Sequence, residues 1–234
     1  MKNKQVSNVT KPVSLITLSD SSSPVSEQYR TIRTNIQFSI TDRNLKTLVV
    51  TSSGPGEGKS TTSANLAVVF AKSGMKVLLV DADMRKPTVA KTFNLMNHTG
   101  LSTLLAEGGT VLSNYTQSTL MDNLDVMTSG TKPPNPSEML GSRRMQEAME
   151  LMKQHYDLVI FDMPPIVAVT DAQIMSSVVD GTILVVREGV SNKKAVQKAA
   201  QLLDMANANV LGAIYNGAER SSDQGYYYYY GTDK

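Results

Sequence analysis

Short runs of branched apolar residues recur along the chain, and longer stretches with helical spacing separate them. A run of Val, Ile and Leu without polar alternation is typical of a strand that is buried on both faces of a sheet. Six runs fit this description, at residues 46–52, 76–83, 124–130, 157–165, 181–189 and 209–217. Helical patterns at 59–74 and 191–207 lie between strands. The alternation predicts an α/β fold with a mainly parallel sheet and helices on both faces.

Two local signals predict further helices. From Val25 onward, apolar residues at spacings of three and four predict a helix with one apolar stripe. The stripe consists of Val25, Tyr29, Ile32, Ile36 and Ile40. Asn135 is expected to cap a second helix, with Pro136 at its first position and Glu138 completing a capping box. The proline-rich residues 132–136 either form a rigid loop before this helix or bind a partner in an extended conformation.

The polar composition of residues 1–24 predicts a mobile N-terminal arm, followed by one domain at 25–218. The length of 234 residues suits one large α/β domain. A flexible tail is expected at 219–234. It carries five consecutive tyrosines, Tyr226, Tyr227, Tyr228, Tyr229 and Tyr230. A hydrophobic core has no use for aromatic residues at the end of a chain, so the cluster is either chemically modified or a sticky, disordered end or stacking platform for ligands.

Composition and charge exclude several classes of protein. The net charge of +2, with no basic segment, argues against nucleic-acid binding. The chain has no cysteine, which rules out disulfides, thiolate metal sites and cysteine nucleophiles and fits a reducing compartment. No apolar run approaches the roughly 20 residues of a membrane-spanning helix. A cytosolic protein is expected, with any membrane attachment supplied by a partner.

A glycine-rich segment at 52–61 lies between a predicted strand and a predicted helix, the context that a phosphate-binding loop requires. Backbone N–H groups and the positive end of the helix would bind phosphates there. Lys59 is the candidate for the β- and γ-phosphate oxygens, and the Ser60 hydroxyl is the candidate Mg²⁺ ligand.

The strict Walker A pattern has Gly where this chain has Ser53. The alternative is a helix-capping turn with a solvated lysine. The candidate nucleotide-binding residues are Gly54, Pro55, Gly56, Glu57, Gly58, Lys59, Ser60 and Thr61.

Polar residues follow other predicted strands, at the edge where open parallel sheets bind ligands. Asp162 is expected to be the Walker B carboxylate, with a simple strand-end cap as the alternative. Asp81 and Asp83 are two positions apart on an extended chain, so both are expected to face the triphosphate, unless they belong to an exposed turn. Asn216, after the last strand, is a candidate for contacting the adenine edge or forming a turn. Asp171 is expected to cap a helix.

Together these motifs resemble those of the bacterial tyrosine kinases, from about Glu27 to the C-terminus. The matching segments are EQYRTIRTNI, PGEGKST, VDADMRKPT, TSGTKPPNPSE, FDMPP and the tyrosine cluster. The resemblance implies a P-loop NTPase fold with Walker A, A′ and B motifs. It also implies an autophosphorylating kinase, dependent on ATP and Mg²⁺, that regulates polymerisation and export of capsular or extracellular polysaccharide. The implied catalytic residues are Lys59, Asp81, Asp83 and Asp162, and the implied metal ligands are Ser60, Asp83 and Asp162. Asp81 is the preferred general base, but the choice between Asp81 and Asp83 stays open.

The same resemblance implies how the protein assembles. Tyr226–Tyr230 are expected to be substrates, phosphorylated in trans within a ring-shaped homo-oligomer. Glu27, Arg30 and Arg33 match the oligomerisation motif of the family, although a simple Glu27–Arg30 pair within one helix is the alternative. A separate membrane-anchored activator, which regulates polysaccharide chain length, is expected to recruit the kinase to the inner face of the plasma membrane. Other cytosolic proteins are expected as substrates.

The rival interpretation is a positioning or partitioning ATPase, a nucleotide-dependent binding switch of the same P-loop branch. Those proteins carry an extra lysine at the position of Gly54, and their membrane-binding members end in a basic amphipathic helix. A GTPase is not expected, because the nearest string to the guanine motif, at 192–195, lacks its aspartate.

Overall fold

A computed structural model describes residues 11–39 and 45–218. Its strands are β1 (Thr47–Ser52), β2 (Val77–Asp81), β3 (Gln117–Ser118), β4 (Leu124–Met127), β5 (Leu158–Asp162), β6 (Gly181–Arg187) and β7 (Val210–Asn216). They form one sheet in the order β3-β4-β2-β5-β1-β6-β7, in which only β3 pairs antiparallel. The prediction of a mainly parallel α/β sheet is confirmed.

The helices of the described ranges lie on both faces of the sheet. They are α1 (Ile16–Ser19), α2 (Pro24–Phe38), α3 (Lys59–Lys72), α4 (Val89–Thr92), α5 (Leu101–Glu107), α6 (Pro136–Leu140), α7 (Arg143–His155), α8 (Asp171–Ser176) and α9 (Lys193–Met205). None of them is long and apolar enough to cross a membrane.

Two hydrophobic cores cover the two faces of the sheet. Alternate residues of a strand point to opposite faces, so Leu48 and Val50 join one core while Val49 joins the other. The first core includes α3, whose side chains from Ala64 to Ala71 are almost all buried. The second core includes apolar residues of α5, α7, α8 and α9. The continuous apolar runs of the strands follow from burial on both sides.

The helix predicted after the proline-rich segment is shorter than a typical helix. Asn135 is the cap and Pro136 the first residue of α6, as predicted, but α6 ends before Gly141, and Ser142 caps the separate helix α7. The predicted capping box is wrong, because the Asn135 side chain does not bond the backbone of the first turn. Its Nδ2 donates instead to Glu138 Oε2 at 2.9 Å.

The structure differs from the predicted mobile arm at 1–24. Residues 1–10 lie outside the described residues, but Thr17 is buried against α3. Thr17 N and Oγ1 donate to Asn65 Oδ1 at 3.0 and 2.8 Å, and Asn65 Nδ2 donates to Ser14 O at 2.8 Å. Sequence pattern missed this docking because α1 has only four residues, too few to show a period, and Thr17 N is bound by a side chain that is 48 residues away.

Helix α2 packs on α3 through part of its predicted stripe. Tyr29 and Ile36 are buried and Ile32 is half-buried, whereas Val25 is 45% exposed and Ile40 lies outside the described residues.

Candidate nucleotide-binding and active site

The strand order brings the predicted motifs together at one edge of the sheet. Strand β5 lies between β1 and β2, so the carboxyl ends of these three strands are adjacent. Asp81 and Asp162 are direct neighbours in the register of β2 and β5. The loop that follows β1 leads into the N-terminus of α3. This is the edge at which open parallel sheets bind ligands.

The loop between β1 and α3 has the backbone geometry of a phosphate-binding loop. Gly56 and Gly58 have φ angles of 76° and 97°, a region that favours glycine. At Gly58 a Cβ would also collide with the Asn216 side chain. Gly58 is the cap residue of α3, so the next amides begin the helix at its positive end. Pro55 and Gly56 are exposed on the outside of the loop, and Thr61 lies in the first turn of α3.

Ser53, which departs from the Walker A pattern, is bound to a buried carboxylate of the same loop. Glu57 accepts hydrogen bonds from Ser53 N at 2.9 Å and from Ser53 Oγ at 2.6 Å. The Glu57 side chain is 2% exposed. The Ser53 hydroxyl, which stands where the pattern has glycine, therefore forms a hydrogen bond within the loop. The loop with Ser53 still has positive φ angles at Gly56 and Gly58 and leads into α3.

Lys59 lies at the centre of the site and contacts two carboxylates. Its Nζ is 2.9 Å from Asp83 Oδ2 and 3.8 Å from Asp162 Oδ1, and it lies 3.2 Å from Ser60 Oγ. Burial alone would lower the pKa of Lys59, but the negative charges of Asp162 and Asp83 outweigh burial and raise it. The ammonium group is therefore held in its charged form beside the phosphate-binding loop.

Asp81 is fully buried and is held by a different set of contacts. Its Oδ2 accepts from Thr88 N at 3.0 Å and from Val89 N at 2.9 Å. Burial, followed by the charge of Asp162, raises the pKa of Asp81 to about 7. Burial also raises the pKa of Asp162. Two carboxylates at adjacent strand ends thus share a pocket that disfavours their charged forms.

The residues present fit a magnesium nucleotide. Asp81 Oδ1 and Asp162 Oδ2 are buried atoms without a hydrogen-bond partner, which is unusual for carboxylate oxygens inside a protein. No three acidic, histidine or cysteine side chains of the described ranges are arranged to hold a metal ion by themselves. Mg²⁺ in phosphate-transfer sites is held by one or two carboxylates together with substrate phosphates and water, so the unsatisfied Asp162 Oδ2 and the Ser60 hydroxyl suit that arrangement.

An ion pair beside this site, between the buried Asp171 and the partly exposed Arg85, was not predicted from the sequence. Arg85 Nε and Nη2 bind the two oxygens of Asp171 at 2.9 Å each, and Ser137 Oγ donates to Asp171 Oδ1 at 2.7 Å. Asp171 is the first residue of α8, next to the cap residue Thr170, so the expectation that it caps the helix is wrong. The only available signal was the arginine that ends the D-x-D-x-R motif.

Asn216 contacts the phosphate-binding loop. Its Nδ2 donates to Glu57 O at 3.1 Å, and Arg187, at the end of β6, donates to Gly56 O at 2.9 Å. The ends of β6 and β7 therefore brace the loop from its outer side. The amide that was a candidate for the adenine edge is engaged by the protein backbone here.

The predicted oligomerisation residues lie away from this site on α2. Arg30 Nε donates to Glu27 Oε2 at 2.7 Å, and both Arg30 amino groups donate to Ser21 O. Arg33 Nη1 donates to Val69 O of α3 at 3.0 Å. The alternative of a Glu27–Arg30 pair within one helix is present in the single chain. Tyr226–Tyr230 lie outside the described residues.

Comparison with known proteins identifies the family. A family model described as an AAA domain matches residues 45–209. Tyrosine-protein kinase YwqD of Bacillus subtilis is 49% identical over 218 residues, which are 93% of this chain and 91% of that protein. Tyrosine-protein kinase etk of Escherichia coli is 36% identical over 94% of this chain, which spans 30% of that longer protein. The solved kinase domain of Escherichia coli tyrosine kinase ETK has a TM-score of 0.82 at 34% identity and covers 91% of this chain and 85% of its own.

Fold and site thus define a nucleotide-binding P-loop protein with an AAA domain. Within that class, the chain belongs to the bacterial tyrosine-protein kinases, and the predictions of fold, family and enzyme class are confirmed. The solved cell division ATPase MinD of Pyrococcus furiosus has a TM-score of 0.63 at 24% identity, with 76% of this chain and 74% of that one covered. That likeness is one of fold alone, so it does not favour the rival positioning ATPase.

Proposed function

We propose that this kinase transfers the γ-phosphoryl group of ATP, bound with Mg²⁺, to tyrosines of its own C-terminal cluster and of other cytosolic proteins. The observation that carries the proposal is the position of Lys59, at the start of α3 and within 4 Å of carboxylates from two neighbouring strand ends. A cation and acidic groups at the end of a phosphate-binding loop are the parts that phosphoryl transfer requires, since it depends mainly on positioning and charge neutralisation.

Each polar residue then has a role. The loop from Gly54 to Thr61 binds the phosphates through its backbone N–H groups, and Lys59 exchanges its contact with Asp83 for phosphate oxygens. Ser60, Asp83 and Asp162 hold Mg²⁺, directly or through water. When bound, ATP–Mg²⁺ supplies the phosphoryl group and neutralises part of its charge. Asn216 keeps the loop in place from the outer side, in addition to any contact with adenine.

Asp81 is the proposed general base for the tyrosine hydroxyl. A base is most effective when its pKa lies near the working pH, and the pKa of Asp81 is about 7 because the group is buried near Asp162. Its Oδ1 has no hydrogen-bond partner and is available to accept the phenol proton. Asp83 is less suited to this role, because it is a proposed Mg²⁺ ligand and its Oδ1 accepts from Lys86 N at 3.0 Å.

The tail Tyr226–Tyr230 is proposed to react in trans, within a ring of identical chains that uses Glu27, Arg30 and Arg33 as contacts. Each phosphate adds a charge of about −1.5 to −2 at neutral pH. Phosphorylation of several tyrosines therefore turns the tail strongly negative, and repulsion between tails is proposed to dissociate the ring.

A membrane-anchored activator that regulates polysaccharide chain length is proposed to bring the kinase to the inner face of the plasma membrane. There the kinase is proposed to regulate polymerisation and export of capsular or extracellular polysaccharide. In support, the matching kinase segment makes up most of YwqD but only 30% of etk, so among the relatives it occurs both with and without a long additional region.

The test is phosphorylation of the purified full chain with ATP–Mg²⁺ in the presence and absence of the activator, read by mass spectrometry of the C-terminal peptide. Phosphate on Tyr226–Tyr230 is expected in wild type and none in Lys59→Met. Replacing the five tyrosines with Phe is expected to remove the label and to spare nucleotide binding. A C-terminal peptide that stays unmodified with its activator present, in a protein that still hydrolyses ATP, would contradict the proposal and favour the positioning ATPase.

A further inference from the structure

A small pocket opens beside the catalytic cluster and has no role in the site described above. It has a volume of about 200 Å³ and is lined by Arg85, Pro134, Asn135, Pro136, Ser137 and Glu138. The lining combines the end of the D-x-D-x-R motif with the proline-rich loop before α6. The sequence left two interpretations of that loop open, a rigid connection or a segment that binds a partner.

Arg85 lines this pocket, and its guanidinium group is held along one edge. Asp171, which is fully buried, binds Nε and Nη2, and Ser137 Oγ accepts a second bond from Nη2 at 3.0 Å. These contacts hold one edge of the guanidinium group, while Nη1 has no hydrogen bond within the described residues. Hydrogen bonding by Asp171 raises the pKa of Arg85, and the charge of Asp83 contributes in the same direction.

The rest of the lining is rigid and carries a single charged side chain, Glu138. Pro134 is exposed and Pro136 is buried, and the Asn135 side chain is held by its hydrogen bond to Glu138. Two proline rings fix the backbone of the loop, because each ring restricts φ. Glu138 in the lining and the buried Asp171 behind Arg85 carry two negative charges against the one positive charge of Arg85. The pocket is therefore poorly suited to a phosphate dianion and well suited to a neutral planar ring.

We infer that this pocket receives the aromatic ring of the acceptor tyrosine. The ring stacks on the guanidinium plane of Arg85 and on Pro134, and arginine and aromatic faces attract one another. Arg85 lies two residues beyond Asp83, which contacts Lys59, so a ring in the pocket lies beside the phosphoryl-transfer centre. The inference rests on the proposed function and adds an acceptor subsite to it.

The test compares two neighbouring prolines in the full chain. Pro134→Ala removes a pocket wall, whereas Pro133→Ala changes a proline that does not line the pocket. Both are made in a chain whose five tail tyrosines are replaced with Ser, so that its own tail does not compete. The acceptor is a synthetic peptide of residues 222–234, and the activator and saturating ATP–Mg²⁺ are present.

Pro134→Ala is expected to raise the KM for the peptide about three- to tenfold, in line with the loss of one stacking contact. The ADP dissociation constant, the thermal midpoint and kcat are expected to stay at wild-type values, and Pro133→Ala is expected to change none of these quantities. An unchanged KM in Pro134→Ala would overturn the inference. Equal effects of the two variants, or a matching loss of ADP affinity, would also overturn it by showing a general disturbance of the loop.

Peptide binding to the ADP-loaded chain separates this inference from the proposed function. If wild type transfers no phosphate, the proposed function fails, but weaker binding in Pro134→Ala than in Pro133→Ala still supports the pocket. Equal binding in both variants contradicts the pocket whether or not phosphate is transferred.

Discussion

Two groups of charged side chains make contacts of similar length in very different surroundings. Lys59 and Asp83 are 2.9 Å apart with side chains 12% and 6% exposed, whereas Arg30 and Glu27 are 2.6 Å apart with side chains 36% and 66% exposed. A buried charge depends on its partner, because removing the partner leaves that charge without water. An exposed pair contributes little to stability by itself. The first group is thus largely enclosed within one chain at the proposed nucleotide site, and the second lies at the surface, accessible to another protein.

The largest change in stability is expected when Lys59, the positive charge of the buried group, is removed. Lys59→Met leaves Asp83 and Asp162 without a positive partner, so the free energy of unfolding at pH 8 is expected to fall by about 3 kcal/mol. Urea unfolding of the nucleotide-free protein measures this change. Lys198→Met, at an exposed position of α9, is the matched control and is expected to stay within about 0.5 kcal/mol of wild type. A Lys59→Met protein as stable as the control would show that the carboxylates are not charged.

A smaller change in the free energy of unfolding is expected when the pH is raised, because Asp81 loses its proton. Its pKa is about 7 in the folded protein and 3.8 as the ordinary value, because of burial and the charge of Asp162. The folded state therefore holds a proton that the unfolded state has already lost, and its stability falls as pH rises toward 7. Between pH 5 and 8 the loss is expected to reach about 2 kcal/mol.

Asp81→Asn tests whether Asp81 causes the pH dependence of stability. The amide oxygen still accepts from Thr88 N and Val89 N, but the titrating group is removed. Unfolding free energies measured at several pH values are expected to show a flatter profile for this variant. A profile as steep as that of wild type would assign the pH dependence to another group. Asp125→Asn, on β4, serves as the comparison for loss of a carboxylate outside the site.

Some features of the fold and of the candidate site could be predicted from the sequence, and others could not. The six long strands, the phosphate-binding loop and the strand-end aspartates were all predicted, because apolar periodicity and local motifs determine them. Asp171 was misassigned, since its partner Arg85 is 86 residues away and local pattern carries no information about that contact. The docking of Thr17 on Asn65 and the bond from Asn216 to the loop were missed for the same reason. Short elements such as β3 and α4 have too few residues to show a period.

The smallest change in the free energy of unfolding of the single chain is expected at the exposed pair of Glu27 and Arg30. Glu27→Gln breaks the pair with Arg30, and the free energy of unfolding is expected to change by less than about 0.5 kcal/mol. If α2 forms contacts between chains, the same substitution is expected to lower the mass of the assembly in light scattering of the activated protein. Glu147→Gln is the matched control, because Glu147 pairs with Arg143 at 2.9 Å on α7 and is 60% exposed. Equal masses for the two variants would contradict an assembly role for Glu27 and leave the pair as a feature of one helix.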